Sequence, residues 1–390
     1  MNETHTFLVP DYYPDFACKM GACRAACCVG WPISISMENY FHLVGLDCRA
    51  DLRRRLDCGM RIIDHPTEDK YAIFEPKYDG NCPLRQADGL CALHAELGEG
   101  ILPDVCRLYP RGVRVEEGLY ECSCSNSCEA VLELLMAHER PLSFVLRRMT
   151  VNMPPLPERR EHFVTLGMGR EIRLYLISVM QERGLPLSAR LACLGDAMVA
   201  VERAAADNDA AALRRILSIT PLPFVSEGEQ VRAEHLRRGL AIAAEMTDVF
   251  DSRSQSIREF GEVALAYFGT GDGAYERYLA AREHFEASFA DWESFFENIL
   301  VNHMFFSEFP FQDRPESLRS EYTALCAVYA LMRFLALGVM ADQDSPSRLI
   351  DVMAAAFRLI DHTEFDRTAS IILRRLGEDG RGELYDLISL

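Results

Sequence analysis

The chain has 390 residues, 49% of them apolar and 26% charged, which permits a large buried core and excludes wholesale disorder. Its formal net charge of -18 offers no basic face to a phosphate backbone and argues against nucleic acid as a partner. The opening "MNETHTFLVPDYYPDF" lacks the basic start and apolar run of a secretory signal, which predicts a cytoplasmic protein with reduced thiols.

In chain order, short strands are expected at Lys70–Phe74 and Gly112–Ser123, the second a hairpin turning at Glu117–Gly118. Asn126 is expected to cap a helix over "NSCEAVLELLMAHE", with Glu129 three residues on. Three prolines in "MPPLP", Met153–Pro157, mark a junction, because proline cannot continue a helix. A cysteine-rich part is therefore expected over 1–150 and a helical part over 151–390. Past the junction, "REIRLYLISVMQERG", "LSARLACLGDAMVAVERAAA", "EHLRRGLAIAAEMTDVF", "WESFFENILVNHMFF" and "SRLIDVMAAAFRLID" repeat apolar residues at helical spacing, the first stopping at Gly184.

"FGTGDGAY", Phe268–Tyr275, has a Gly-x-Gly-x-Gly look, but helical sequence flanks it on both sides and a helix–helix turn is expected. "ALCAVYALMRFLALGVMA", Ala324–Ala341, is interrupted by Arg333 and Gly338, so a buried core helix is expected rather than a membrane span. The fold class these elements predict is mainly α, a cysteine-rich α+β part with short strands followed by an all-helical part, with no membrane partner.

Of 14 cysteines, 12 lie between Cys18 and Cys128. The first group is Cys18, Cys23, Cys27 and Cys28; then come Cys82, Cys91 and Cys106; then Cys122, Cys124 and Cys128. Cys23/Cys27 and Cys124/Cys128 are four apart, and on a helix each pair would set its Cβ atoms about 5–6 Å apart on one face. No Cys-x2-Cys knuckle occurs, which weakens zinc. An iron–sulfur cluster, held by four thiolates drawn from scattered segments, fits at least as well. Neighbouring side chains diverge, so Cys27 and Cys28 either divide between ligation and packing or serve different sites. Radical-type spacing, Cys-x3-Cys-x2-Cys, fails at Gly30 and at Val131. Cys193 and Cys326 sit in apolar helical segments as small hydrophobes. The candidate metal ligands are Cys18, Cys23, Cys27, Cys28, Cys82, Cys91, Cys106 and Cys128.

"FACKMGACRAACCVGWPISI" followed by "CPLRQADGLCALHAELGEGILPDVCRLYPR" resembles the flagellin lysine-N-methyltransferase (flagellin lysine-N-methylase) family, whose cysteine pattern is shared by zinc- or iron-chelating proteins. "SCEAVLELL", "ENILVNHMFFSEFPF" and "AFRLIDHTEF" extend the likeness, with His303 where the family usually has tyrosine. The resemblance implies methyl transfer from S-adenosylmethionine to lysine ε-amines of flagellin, with an iron–sulfur cluster, 4Fe-4S in type, on the N-terminal cysteines and zinc as the alternative. Lysine must first lose its proton, and with a pKa near ~10.4 only about one in a few thousand has done so at pH 7. Under that reading Trp31 faces the donor's sulfonium by cation–π contact and Arg111 pairs with its carboxylate. Asp79, Asp88, Glu96 and Glu99 are candidate acids, each more simply a loop or helix-surface charge. The rival function is a non-catalytic zinc- or iron-binding interaction protein.

Overall fold

The computed structural model describes residues 2–24, 27–116, 118–153, 156, 165–219, 229–253, 256–271, 273–312, 318–377 and 384–390. In chain order the first part holds β1 (Asn2–Pro10), β2 (Ile33–Ile35), α1 (Met37–Val44), α2 (Ala50–Gly59), β3 (Met60–Ile62), β4 (Ala72–Phe74), α3 (Ala92–Leu97), α4 (Asp104–Leu108), β5 (Arg111–Glu116), β6 (Leu119–Cys124), α5 (Glu129–Ala137) and β7 (Phe144–Asn152). Helices follow: α6 (Gly169–Met180), α7 (Leu187–Ala206), α8 (Ala210–Ile216), α9 (Glu229–Arg253), α10 (Arg258–Phe268), α11 (Gly273–Ser288), α12 (Trp292–Phe306), α13 (Leu318–Val339), α14 (Pro346–Ile360), α15 (Phe365–Leu376) and α16 (Leu384–Ile388). The class is mainly α with an α+β part, as expected.

Four strands form one sheet in the order β5-β6-β1-β7. β1 runs parallel to β6, Phe7 opposite Tyr120, and antiparallel to β7 from Asn2–Asn152 to Pro10–Phe144. Its consecutive Phe7, Leu8 and Val9 are all buried, as a strand flanked on both sides permits. The expected hairpin is present as β5–β6, Arg111 opposite Cys124, although Glu117 lies outside the described residues. A second sheet, β2-β4-β3, is antiparallel throughout, and its β4 covers the last three residues of the strand expected over Lys70–Phe74.

Three local expectations change. Helix α5 starts at Glu129 with Cys128 as its N-cap, and Asn126 donates instead to the Ile299 carbonyl at 2.9 Å. Its amide secures the turn to α12 rather than capping the next helix. Helix α6 ends at Met180 with Gln181 as C-cap, so the chain has already turned before Gly184. Neither cysteine pair shares a helix: Cys23 follows a short 3-10 turn, while Cys124 ends β6 and Cys128 precedes α5.

Two hydrophobic cores result. The larger joins the four-stranded sheet to the helices, with Phe7 of β1, Cys124 of β6 and Val131 of α5 meeting Phe305, Leu331 and Met353. The smaller gathers Ile35, Leu43, Leu56, Phe74 and Leu93, and Cys28, Cys82 and Cys91 pack in or against it. Pro154, Pro155 and Pro157 of the expected junction lie outside the described residues.

Helix α13 is long and apolar enough to cross a membrane, and its most apolar stretch is wholly buried inside the protein. Its Arg333 donates to Glu286 at 3.0 Å and to the Leu390 carbonyl at 3.0 Å, and lies 3.9 Å from the Trp292 ring centroid. These two acceptors and the ring face are what allow a charge in that position. The glycine-rich segment is a helix–helix turn: Gly269 ends α10, Gly271 has φ +80°, and α11 begins at Gly273.

Candidate functional site

Ion pairs fasten the first cysteine segment to the helices. Lys19 Nζ bonds Glu129 at 2.9 Å and Glu133 at 2.5 Å on α5, and Arg24 Nε bonds Asp351 at 3.0 Å on α14. Backbone bonds draw in the later cysteines: the Cys82 amide donates to the Cys28 carbonyl at 2.8 Å, and Arg85 forms a bridge with Cys91. Every cysteine is a free thiol.

The eight candidate ligands fall into two adjoining sets. Burial pushes the Cys82 thiol up to about 12, and nearby Cys28 and Cys91 add to the rise. Burial likewise raises Cys106, with Cys82, Cys91 and Cys28 as its charged neighbours, and raises Cys91 beside Cys28. In the second set burial lifts Cys23 to about 11, with Glu129, Cys128 and Cys18 adding, and lifts Cys128 beside Cys18. Cys27 bonds Cys28 and senses both Cys106 and Cys18, so the adjacent pair joins the two sets. That hydrogen bond favours the thiolate on Cys28, with Arg85 and Arg358 assisting against burial.

In donor type the first set suits a thiolate-bound centre better than the second: Cys82 is buried and Cys28, Cys91 and Cys106 half-buried, whereas Cys18 and Cys27 are exposed. Partly buried thiols that repel one another on ionising would be relieved by a cation. The spacing is open rather than closed, since among the described residues no three His, Cys, Asp or Glu side chains are grouped to hold one metal ion. A single zinc would draw its sulfurs to about 3.8 Å apart, given Zn–S bonds near 2.3 Å.

Beside the thiols lies a polar and aromatic centre that the sequence reading did not assemble. Trp31 donates to the Cys27 carbonyl at 2.8 Å. Its ring lies 4.7 Å from His362 and 6.1 Å from Tyr109, and the third side of this triangle is 6.0 Å. The Arg358 guanidinium stands 5.6 Å from the Trp31 centroid. Ser127 Oγ contacts both Tyr109 Oη and His362 Nε2 at 2.9 Å. Ser127 meets Ser125 at 2.6 Å, and Ser125 donates to Asp361 Oδ2 at 2.5 Å. His303 Nδ1 meets Asp361 Oδ1 at 3.0 Å. Burial pulls the His303 pKa down, but the Asp361 hydrogen bond and charge more than offset it, leaving it raised.

The sequence explains how these groups are held. Ser345 caps α14 through the Arg348 amide and Pro346 occupies its first turn, and the far end of that helix carries Arg358, Asp361 and His362. On α12, Asn302 donates to the Cys124 carbonyl at 2.8 Å and to Asn126 at 2.7 Å, and accepts from Tyr12 at 2.7 Å. The serine turn is thereby clamped to the helix bearing His303.

Arg111 lies elsewhere. Its guanidinium is 5.0 Å from the Phe16 centroid, and with Tyr13, Glu99 and Arg107 it lines an open cavity of about 470 Å³ bordered by Met149–Asn152 of β7. Trp31 does not line this cavity; at the α4–β5 corner Leu108 lines it and the next residue, Tyr109, belongs to the ring triangle. The other proposed acids hold loops. Asp79 accepts from the Asn81 amide, Asp88 from the Leu90 amide, and Glu96 from the Arg49 amide at 2.8 Å. Backbone hydrogen bonds keep the Asp79 and Glu96 carboxyls below their ordinary values.

A family model described as the FliB lysine N-methylase C-terminal domain matches residues 173–390. The lysine-N-methylases of Salmonella typhimurium strain LT2 and Salmonella choleraesuis are each 24% identical to the chain over 167 residues, 41% of this chain and 41% of theirs. The flagellar biosynthetic protein FliU of Salmonella muenchen is 26% identical over 132 residues, 34% of this chain and 77% of its own length. The chain thus aligns with less than half the length of the two methylases. No solved structure matches. With the family model covering more than half of its residues, including His303, Asp361 and His362, this chain belongs to the FliB lysine N-methylase C-terminal domain family.

Proposed function

We propose that the chain transfers methyl groups from S-adenosylmethionine to lysine ε-amines of flagellin, and that its N-terminal cysteines hold an iron–sulfur centre. The observation that carries this reading is that the segment matching the methylase family delivers Asp361 and His362 to the Trp31–Tyr109 rim of the thiol-bearing turns. The names of the relatives support the reaction and the flagellar substrate.

The donor is a zwitterion with a sulfonium. Arg111 and Arg107 offer cations for its carboxylate and Glu99 an anion for its ammonium, in a cavity of ordinary ligand size. Trp31 does not line that cavity and already has the Arg358 guanidinium 5.6 Å from its ring, which leaves it to the acceptor side rather than to the sulfonium. Cys28, Cys82, Cys91 and Cys106 supply the four thiolates a cluster takes, and Cys18, Cys23, Cys27 and Cys128 stand as a second set. When bound, such a centre would neutralise the buried thiolates and fix the turns carrying Trp31 and Ser127.

The test is incubation of the anaerobically purified full chain with purified flagellin and S-adenosylmethionine, followed by intact-mass analysis. Flagellin gaining whole methyl increments, only when donor and chain are both present, is the expected result. An unchanged flagellin mass with an iron-loaded chain contradicts the reading and leaves the non-catalytic metal-binding alternative.

A further inference from the structure

The hydrogen bonds around Ser127 have a fixed direction. Ser125 donates its hydroxyl hydrogen to Asp361, so its oxygen only accepts in the remaining contacts. It takes the Ser127 amide at 3.1 Å and the Ser127 hydroxyl at 2.6 Å. Ser127 has then spent its one hydroxyl hydrogen and accepts from Tyr109 Oη and from His362 Nε2, both at 2.9 Å. A neutral His362 therefore carries its hydrogen on Nε2, and Nδ1 bears the lone pair. The far end of the relay is anchored by His303 on the other oxygen of Asp361.

The surroundings suit a base. His362 is exposed, while Trp31 and Tyr109 beside it are half-buried, so the ring triangle is open to an incoming side chain. Although the residue as a whole is exposed, the packing around its ring lowers the His362 pKa from its ordinary value; Asp361 acts against this and Arg358 adds to it. The charged and titratable groups facing it are Asp361 and Arg358 of α14 and its end, and Tyr109 of the α4–β5 corner, itself near Cys27 and Cys128. The Arg358 charge also disfavours a second cation at the rings and so favours an amine in its neutral form.

We propose that the Trp31–Tyr109–His362 triangle receives the target lysine and that His362 Nδ1 is its general base, with Ser127, Ser125 and Asp361 as positioning residues. This rests on the methyl-transfer reading above. The lysine Nζ–H bond breaks and a bond from His362 Nδ1 to that proton forms. The freed amine lone pair attacks the methyl carbon of the methylsulfonium donor, and the sulfur–carbon bonding pair leaves on sulfur as a neutral thioether. The proton on the imidazolium then leaves to solvent.

Two measurements on the full chain test this. In 15N-histidine-labelled protein, with the signal assigned by its loss in His362→Gln, His362 is expected as the Nε2–H tautomer titrating below an ordinary histidine. Ser127→Ala should relax that preference toward a mixture. An Nδ1–H tautomer, or one indifferent to Ser127→Ala, overturns the relay. In the methylation assay His362→Gln should lose activity by of order 100-fold at neutral pH and regain much of it as pH approaches the lysine's own pKa, a recovery that a merely structural defect would not give. Equal rates for the unsubstituted chain and His362→Gln overturn the base role alone. No methyl gain by the unsubstituted chain at any pH overturns both the base role and the reading beneath it, while the tautomer remains separately measurable.

Discussion

His303 and Asp361 meet at 3.0 Å with side chains only 8% and 1% exposed, tying the middle of the polypeptide's helical half to the turn that leads into α15. One oxygen of Asp361 holds this imidazole and the other holds Ser125, so a single carboxylate connects α12 to the serine turn before α5. Asp361→Asn removes the counter-charge while His303 stays buried. Breaking a buried pair from one side is costly, and a loss of about 3 kcal/mol is expected. The midpoint of denaturant unfolding measures it, and an unmoved midpoint refutes the pairing.

A second buried acid lies near this pair. Burial raises the Glu321 carboxyl from 4.5 to about 8, and nearby Asp366 adds to the rise. A raised carboxyl pKa means that the folded chain binds more protons than the unfolded chain between those values, so stability falls as pH rises from about 5 to 8. His303 acts in the same direction, since its raised pKa gives stability at low pH that is lost as pH climbs through that value. Glu321→Gln removes the larger contribution. It should flatten the stability–pH curve over this window and gain roughly 3 kcal/mol at pH 8. A parallel curve for the variant would show that Glu321 titrates normally.

Helices α9 and α16 approach closely at Gly239. A Cβ built there would fall 2.0 Å from the Asp386 carbonyl oxygen, which is backbone and cannot swing aside. Gly239→Ala should therefore force the helices apart and cost about 2 kcal/mol, read as a lowered Tm. A Tm at or above that of the parent, as a helical alanine alone would give, contradicts the packing.

The helical half is legible because its apolar spacing is regular: the patterns over Ser347–Asp361 and Trp292–Phe306 match α14 and α12 closely. The hairpin declares itself by its turn glycine and alternation. The central strand does not. β1 depends on β6 and β7, more than a hundred residues away, and no local periodicity reports such pairing. Strand β7 presents exposed positions over most of its length, which blurs the apolar signal. The same distance hides the polar centre. Ser125 and Ser127 stand out only as spacers among cysteines, and 236 and 235 residues separate them from Asp361 and His362. A histidine beside an acid at the end of an apolar helix, as in "LIDHTEF", is the one signal that was available, and it names no partner. The cysteine pairs mislead in the opposite sense, because a four-residue spacing suggests a helix where the chain makes turns.

All of these relations leave one claim to be measured, that Cys28, Cys82, Cys91 and Cys106, thiols from four separated segments, share an inorganic centre. Iron, zinc and acid-labile sulfide should be determined on the full chain purified anaerobically, alongside Cys82→Ser, Cys106→Ser and, as a control outside the constellation, Cys193→Ser. The account predicts iron and sulfide in comparable amounts in the parent and in Cys193→Ser. It predicts their loss, with a lowered Tm, in Cys82→Ser and Cys106→Ser, since ligand binding and folding are coupled. A soluble parent without iron, zinc or sulfide, and with unchanged stability in both ligand variants, would contradict it.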